Sequence, residues 1–170
     1  MNDAGHVPVL IDEVVDLLAP QPGDTVLDCT LGRGGHACAL AASSPDVAVI
    51  GFDLDQDNLH YAAQRLTRQG VDASAVHENF VRAPDTLATL GRPVDIVLAD
   101  LGFASNQVDD PSRGLSFQHD APLDMRLDRT CGPTAAQWLA AASETEIADV
   151  IFRHGEDPLA RRIARNIARA

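Results

Sequence analysis

The chain has 170 residues, of which 45% are hydrophobic, so it is long and apolar enough to fold with a sizeable core. No apolar run is long enough to span a bilayer, and the first residues lack the basic and apolar regions of a signal peptide. The net charge is −12, with arginine providing all 13 basic residues, which argues against a generic binder of polyanions.

The cysteines and aspartates indicate a reducing compartment and no metal. Three cysteines are an odd number and none belongs to a Cys-x-x-Cys pair, so neither a disulfide framework nor a zinc site is expected. The aspartates between residues 109 and 128 are spaced too irregularly for a cation-binding loop. We therefore expect a cytoplasmic protein without a membrane segment or a bound metal.

Hydrophobic periodicity predicts alternating helices and strands up to residue 100. The predicted helices are 9–18, 37–42, 57–69 and 84–90, and the predicted strands are 25–28, 47–53, 73–76 and 94–100. Such alternation is typical of an α/β fold, in which helices cover both faces of a parallel sheet.

The pattern changes after residue 100. Residues 101–133 are rich in Gly, Pro, Asp and Ser without a clear period, and so long a loop is usually functional. Helices are again predicted over 134–142, over 144–153 and from 158 onward, with Ser143 and Glu146 forming a capping box. We therefore expect three regions, which are a cofactor-binding core (1–107), an ordered loop region (108–133) and an incomplete helical subdomain (134–170).

Three carboxylates end three of the predicted strands. These are Asp28, Asp53 and Asp100. Because ligands of open α/β sheets bind beyond the carboxyl ends of the strands, the three side chains are predicted to surround a binding site.

A glycine-rich turn follows the first of these aspartates. The pattern Gly32-x-Gly34-x-x-Ala37 fits a dinucleotide fingerprint, and Asp53 follows at a distance suited to ribose hydroxyls, so the turn alone leaves NAD and S-adenosylmethionine open. A dinucleotide places its pyrophosphate on the helix N-terminus, and the carboxylate of Asp28 would repel that pyrophosphate. The same carboxylate can bind an ammonium, so it favours the methyl donor.

Six segments of the chain resemble the RsmH (MraW) family of 16S rRNA cytosine-N4 methyltransferases. They are residues 6–10, 28–36, 100–107, 113–117, 122–128 and 155–165, in the family's order along essentially the whole chain. The run Leu123-Asp124-Met125-Arg126 is much more specific than the glycine turn.

The resemblance implies a Rossmann-like S-adenosylmethionine-dependent methyltransferase sheet, here partial, with an inserted helical subdomain. The implied substrate is 16S rRNA within the small ribosomal subunit. The family continues well past residue 170, which implies a chain truncated at its C-terminus. For the chain alone we expect strand order 3-2-1-4, an unprotected fourth strand that invites association, and no competent turnover.

The resemblance also implies the site residues. The family's cofactor contacts fall on Gly34, Gly35, His36, Asp53, Phe80, Asp100 and Gln107. The cytosine amine is a poor nucleophile that needs acceptors for its hydrogens, so Asp100 and Asn106 are the candidate catalytic residues. Three alternatives remain open, which are a methyltransferase of another substrate class, an NAD-binding oxidoreductase, and a fragment that only binds the cofactor.

Arginines are concentrated near the end of the chain. The last eighteen positions contain Arg153, Arg161, Arg162, Arg165 and Arg169. We hypothesise that this helical segment contacts RNA, although a solvated helix face would have the same composition.

Overall fold

The computed structural model describes residues 8–169, so His6 and Val7 of the first family-like segment lie outside the described residues. The described chain forms two compact units, with the boundary between Ser105 and Asn106.

The first unit contains a four-stranded parallel sheet. Its strands are β1 (Thr25–Asp28), β2 (Ala48–Asp53), β3 (Ala73–His77) and β4 (Ile96–Leu98). Their spatial order is β3-β2-β1-β4, and all three neighbouring pairs are parallel. The predicted order is therefore confirmed.

Four helices connect and cover these strands. They are α1 (Ile11–Leu18), α2 (Gly35–Ser43), α3 (Gln56–Arg68) and α4 (Ala83–Leu90), and a 3-10 turn at Phe80–Arg82 precedes α4. Helix α3 begins after Asp55, whose carboxylate accepts hydrogen bonds from the backbone N–H groups of Asp57 and Asn58. An N-cap of this kind satisfies amides that the first turn of a helix leaves without partners.

Apolar side chains pack on both faces of the sheet. On one face Val26 packs with Leu40 of α2, and on the other Leu27 and Ile50 pack with Ala83 of α4. Neighbouring residues of a strand point to opposite faces, which explains why Val26 and Leu27 belong to different clusters. This arrangement confirms the predicted α/β fold.

Strand β4 is shorter than predicted. The sequence favours a strand over 94–100, but the ladder covers only Ile96–Leu98, and Asp100 lies two residues beyond it. Among the strands of residues 8–169, β4 pairs only with β1, so it is an edge strand whose length depends on a single partner. Val97 is 60% exposed on this edge. Association through β4 stays a prediction.

The second unit is helical. A short helix, α5 (Ser105–Asp109), begins at the boundary, and a 3-10 turn at Pro111–Arg113 follows it. Then come α6 (Ala135–Ala141), α7 (Glu144–Gly155) and α8 (Ala160–Ile167). The segment 101–133, which the sequence predicts as a long loop, therefore contains α5 and a 3-10 turn, and α5 is too short to show a helical period.

The helices of the second unit share a small core. Ile147 and Ala148 of α7 are buried with Ala164 of α8, and Leu139 of α6 packs against them. The predicted capping box is confirmed, because Ser143 and Glu146 bond to each other's backbone N–H groups.

No helix within residues 8–169 combines the length and the apolarity needed to cross a bilayer. In the same residues, no group of three or more His, Cys, Asp or Glu side chains is placed to hold a metal ion.

Candidate active site

The carboxyl edge of the sheet brings the first two predicted aspartates together. Asp28 is the last residue of β1 and Asp53 the last of β2, and the two strands are adjacent and parallel. Asp100 follows β4, which pairs with the other side of β1. The three carboxylates therefore belong to one edge of one sheet, as the sequence predicts.

The glycine-rich turn is packed tightly onto this edge. Leu31 is buried, and its backbone N–H donates to the carbonyl of Phe52 over 2.8 Å. Gly51 of β2 makes room for it, because a Cβ there would stand 2.6–2.9 Å from the Leu31 side-chain carbons. Gly34 has a φ of +73°, and a Cβ there would meet the Cβ of Ala62 in α3 at 3.1 Å. Larger residues would push the turn away from β2 at Gly51 and away from α3 at Gly34.

Asp53 ties the turn to the end of β2. One carboxylate oxygen accepts from the backbone N–H of Gly32 at 2.6 Å, and the other accepts from that of Asp55 at 2.7 Å. Burial raises the pKa of Asp53, and these backbone hydrogen bonds oppose the rise. Each carboxylate oxygen has a second lone pair, so Asp53 can still accept hydrogen bonds from a ligand.

Asp28 is the most deeply buried of the three carboxylates, with 1% of its surface exposed. It accepts a hydrogen bond of 3.0 Å from the backbone N–H of Thr30. Burial raises its pKa to about 6, the Thr30 hydrogen bond and His36 lower it, and Asp53 and Asp100 raise it further. A cationic ligand group near Asp28 would lower this pKa again, because it favours the ionised carboxylate.

His36 and Asp100 form the outer part of the edge. The His36 ring is largely buried, and its Nε2 lies 2.9 Å from the carbonyl oxygen of Val9, to which it donates as an N–H. Its Nδ1 lies 3.9 Å from a carboxylate oxygen of Asp100, whose side chain is 53% exposed. Asp100 also donates its backbone N–H to the Thr30 hydroxyl over 2.7 Å.

The other predicted cofactor residues of the first unit occupy the turn and the end of β3. Gly34 and Gly35 begin α2, whose N-terminus has no side-chain cap, and Gly35 packs against Pro8. Phe80 lies three residues after β3 in the 3-10 turn and is 41% exposed.

The two remaining predicted residues belong to the second unit. Asn106 and Gln107 lie on α5, six and seven residues after Asp100 along the chain, and Gln107 is buried. Their assignment to the site stays a prediction.

The sequence interpretation missed Thr30 and Gly51. Thr30 connects the ends of β1 and β4, and Gly51 opens the space for the glycine turn. A glycine within an apolar strand is a known sign of close backbone approach, so Gly51 could have been found from the sequence. The partner of Thr30 is 70 residues away, and no local pattern announces it.

The most specific family-like run is an ordered part of the second unit. Asp124 is paired with Arg126 through two hydrogen bonds of 2.7 and 2.9 Å, and Arg126 also donates to the carbonyl of Gly132 at 3.1 Å. This pairing lowers the pKa of Asp124 to about 2. The irregular spacing of the aspartates in 109–128 favours a solvated or loop-ordering role over cation binding, and for Asp124 the structure shows the loop-ordering one.

The carboxylates at the sheet edge favour some kinds of ligand over others. Three carboxylates around a glycine turn would repel a pyrophosphate, which carries negative charge. The same groups can hold an ammonium and accept hydrogen bonds from ribose hydroxyls. The arrangement therefore suits a ligand that carries a positive charge and a sugar.

Two curated relatives are similar to nearly the whole of this chain. Ribosomal RNA small subunit methyltransferase H of Symbiobacterium thermophilum is 47% identical over 167 residues, which are 97% of this chain and 52% of the relative. The protein of the same name from Chromobacterium violaceum is 47% identical over 161 residues, which are 94% of this chain and 50% of the relative. The chain thus spans about half the length of these curated relatives.

A solved structure, T. Thermophilus 16S rRNA N2 G1207 methyltransferase (RsmC) in complex with AdoMet and Guanosine, is 25% identical with a TM-score of 0.47 over 61% of this chain and 28% of that chain. The family match is extensive, because residues 3–170 fit the model described as the MraW methylase family. The chain therefore belongs to the MraW methylase family.

Proposed function

We propose that this protein uses S-adenosylmethionine to methylate the N4 amine of a cytosine in 16S rRNA of the small ribosomal subunit. Its family and the name of its relatives, ribosomal RNA small subunit methyltransferase, support this reaction class. The observation that carries the proposal is the set of three carboxylates around the glycine turn, Asp28, Asp53 and Asp100. A cytoplasmic location is part of the proposal.

The residues of the sheet edge fit this cofactor. S-adenosylmethionine supplies a methyl group that is activated by its sulfonium. Asp28 would hold the ammonium, directly or through a water molecule, because a cation favours the ionised form of a buried carboxyl group. Asp53 would accept hydrogen bonds from the ribose hydroxyls, and the exposed face of Phe80 would pack against the adenine.

The remaining contacts follow the family pattern. The backbone amides of Gly34, Gly35 and His36 lie at the uncapped start of α2, where they can donate to a carboxylate. Gln107 has both a donor and an acceptor, so it can bind a polar edge of the cofactor. These assignments rest on the motif and on the chemistry of each side chain.

Catalysis requires acceptors for the hydrogens of the cytosine amine. Its lone pair is conjugated with the ring and becomes available for in-line attack only when the amine is turned and held. Asp100 and Asn106 would accept those hydrogens, and the loop between them would position the base. The target base must be unstacked to reach this edge of the sheet.

We also propose that the helical subdomain at 134–170 is the part of the protein that contacts RNA. Its last helix, α8, exposes Arg161, Arg162 and Arg165. A local positive surface can bind phosphates although the chain as a whole is acidic, because electrostatic attraction is strongest within a Debye length.

Isothermal titration of the complete protein with S-adenosylhomocysteine tests the cofactor assignment. Asp53→Ala should weaken binding by roughly 1–3 kcal/mol, because it removes charge-assisted hydrogen bonds to the ribose. Asp16→Ala, which removes an exposed carboxylate from α1, is the matched control and should bind as the wild type does.

Two outcomes contradict the cofactor assignment. Equal affinity of Asp53→Ala and wild type would remove Asp53 from the site. Binding of NAD in preference to S-adenosylhomocysteine would favour an oxidoreductase. The melting temperature of Asp53→Ala must be recorded, since the substitution also removes the acceptors of Gly32 and Asp55.

The substrate is tested with small ribosomal subunits that lack the modification. After incubation with the complete protein and labelled S-adenosylmethionine, the RNA is digested to nucleosides, and the label should be found in N4-methylcytidine. Label on another nucleoside, or on protein, would indicate a methyltransferase of another substrate class.

A further inference from the structure

The ladder between β1 and β4 ends just before the proposed catalytic loop. Its register pairs Asp28 with Leu98, and the backbone N–H of Cys29 still donates to the carbonyl of Leu98 over 2.8 Å. Beyond this bond the Thr30 hydroxyl oxygen accepts from the backbone N–H of Asp100 at 2.7 Å. A side chain thus continues the connection between the two strands after their regular pairing has ended.

Thr30 is itself held in place. Its backbone N–H donates to the buried carboxylate of Asp28 at 3.0 Å. The next residue, Leu31, is buried and is bonded to the carbonyl of Phe52 in β2. The hydroxyl of Thr30 therefore projects from a well-anchored turn.

Asp100 has much weaker support from its other neighbours. Its side chain is 53% exposed and lies 3.9 Å from His36 Nδ1, which is too long for a hydrogen bond. The following loop exposes Leu101 by 72% and Phe103 by 60%. A short bond to a fixed hydroxyl can therefore decide where the backbone of Asp100 lies.

We propose that Thr30 is a positioning residue for methyl transfer, because its hydroxyl fixes the backbone of Asp100 at the start of the loop. Thr30 acts through Asp100 and need not touch the cytosine. The inference rests on the proposed function, in which the Asp100 carboxylate accepts a hydrogen from the reacting amine. A small shift of that carboxylate would lower turnover more than it would lower binding.

The test compares Thr30→Val and Thr30→Ser in the complete protein. Valine has nearly the shape of threonine but cannot accept the Asp100 N–H, so kcat should fall about 10- to 100-fold while KM for the ribosomal subunit changes little. Serine keeps the hydroxyl and should retain most of the wild-type kcat. Thr89→Val, which removes an exposed hydroxyl bonded within α4, is the matched control and should leave kcat unchanged.

A double-mutant cycle separates positioning from a purely structural role. If Thr30 acts through Asp100, Thr30→Val should lower kcat much less in an Asp100→Ala background than in the wild type. Hydrogen exchange of the Asp100 amide should be faster in Thr30→Val than in Thr30→Ser, since only serine keeps its acceptor.

Several results would overturn the inference. If the wild type is active and Thr30→Val is equally active, Thr30 has no positioning role and the proposed function stays intact. The same conclusion follows if Thr30→Val lowers kcat equally in the wild-type and Asp100→Ala backgrounds. Failure of Thr30→Ser to restore kcat would assign the defect to packing. If the wild-type protein does not methylate cytosine N4, the proposed function fails and this inference fails with it.

Discussion

At the scale of single residues, Asp28 links stability to ligand binding. Its folded-state pKa is raised to about 6 from 3.8, chiefly by burial. Between these pH values the folded state keeps the proton and the unfolded state loses it, so stability falls as pH rises through this window. This difference between the folded and unfolded pKa values corresponds to roughly 3 kcal/mol of folding stability that has been lost once the pH exceeds 6.

Asp28→Asn should therefore stabilise the ligand-free protein at pH 7.5 by about 2–3 kcal/mol and remove the loss between pH 4 and 6. Urea unfolding across this range measures the difference from wild type. Asp16→Asn in α1 is the control, because that carboxylate is exposed. A stability difference that does not vary with pH would contradict the prediction. The same substitution should weaken S-adenosylhomocysteine binding, since the ammonium loses its partner.

At the scale of elements, the segment from Leu123 to Arg126 is held in an irregular turn. Met125 has a φ of +62°, which is unfavourable for a residue with a side chain. Its backbone N–H donates to the carbonyl of Arg113, and the N–H of Ala135 in α6 donates to that of Asp124. These backbone bonds hold the turn and connect it to the start of α6, and the Asp124–Arg126 side-chain pair bridges the turn itself.

Arg126→Lys should loosen the turn, because lysine cannot form the two parallel hydrogen bonds to Asp124. Amide hydrogen exchange at Met125 and Ala135 should become faster at neutral pH. Arg129→Lys, which alters an exposed arginine bonded to Ser112, is the control and should leave these two amides protected.

Unchanged exchange rates in Arg126→Lys would show that backbone contacts alone hold the turn. The low pKa of Asp124 gives a second check. A depressed carboxyl pKa contributes stability that is present above 3.8 and lost as pH falls toward about 2, so protection should weaken in that range.

At the scale of the whole molecule, the charge distribution bears on RNA binding. The net charge is −12, yet α8 exposes Arg161 and Arg162, while Arg165 lies 3.7 Å from Glu144. Replacing all three arginines by alanine should weaken RNA binding. It should also make the slope of affinity against salt concentration shallower, by the equivalent of up to about three phosphate contacts. Affinity measured over a range of salt concentrations gives this slope.

The matched control replaces Arg68, Arg82 and Arg92 of the first unit by alanine. None of these three arginines lies in the proposed RNA-contacting segment 134–170, and Arg82 and Arg92 are paired with Asp85 and Asp72, so their replacement should leave the salt slope close to that of the wild type. Equal slopes of RNA affinity against salt concentration for the α8 variant and the wild type would show that these arginines form a solvated helix face and not an RNA contact.

Much of the fold follows from local patterns in the sequence. The apolar run of β1 was predicted with its observed bounds, Thr25–Asp28, and the alternation of strands and helices predicts a parallel sheet. Because parallel strands end at one edge, the placement of Asp28 and Asp53 could also be predicted. The site assignments of Phe80 and Gln107 came from the family resemblance, and that of Asn106 came from the acceptors that methylation of the amine requires; all three stay predictions.

The sequence by itself therefore determined the family, the strand order and the acidic edge of the sheet, since each depends on short-range patterns or on recognisable motifs. Only the tertiary structure decided where β4 ends, because the length of an edge strand depends on its partner. It also decided the raised pKa of Asp28, which comes from burial by distant parts of the chain. The bond from Asp100 to Thr30 spans 70 residues and exists only because β1 and β4 lie side by side.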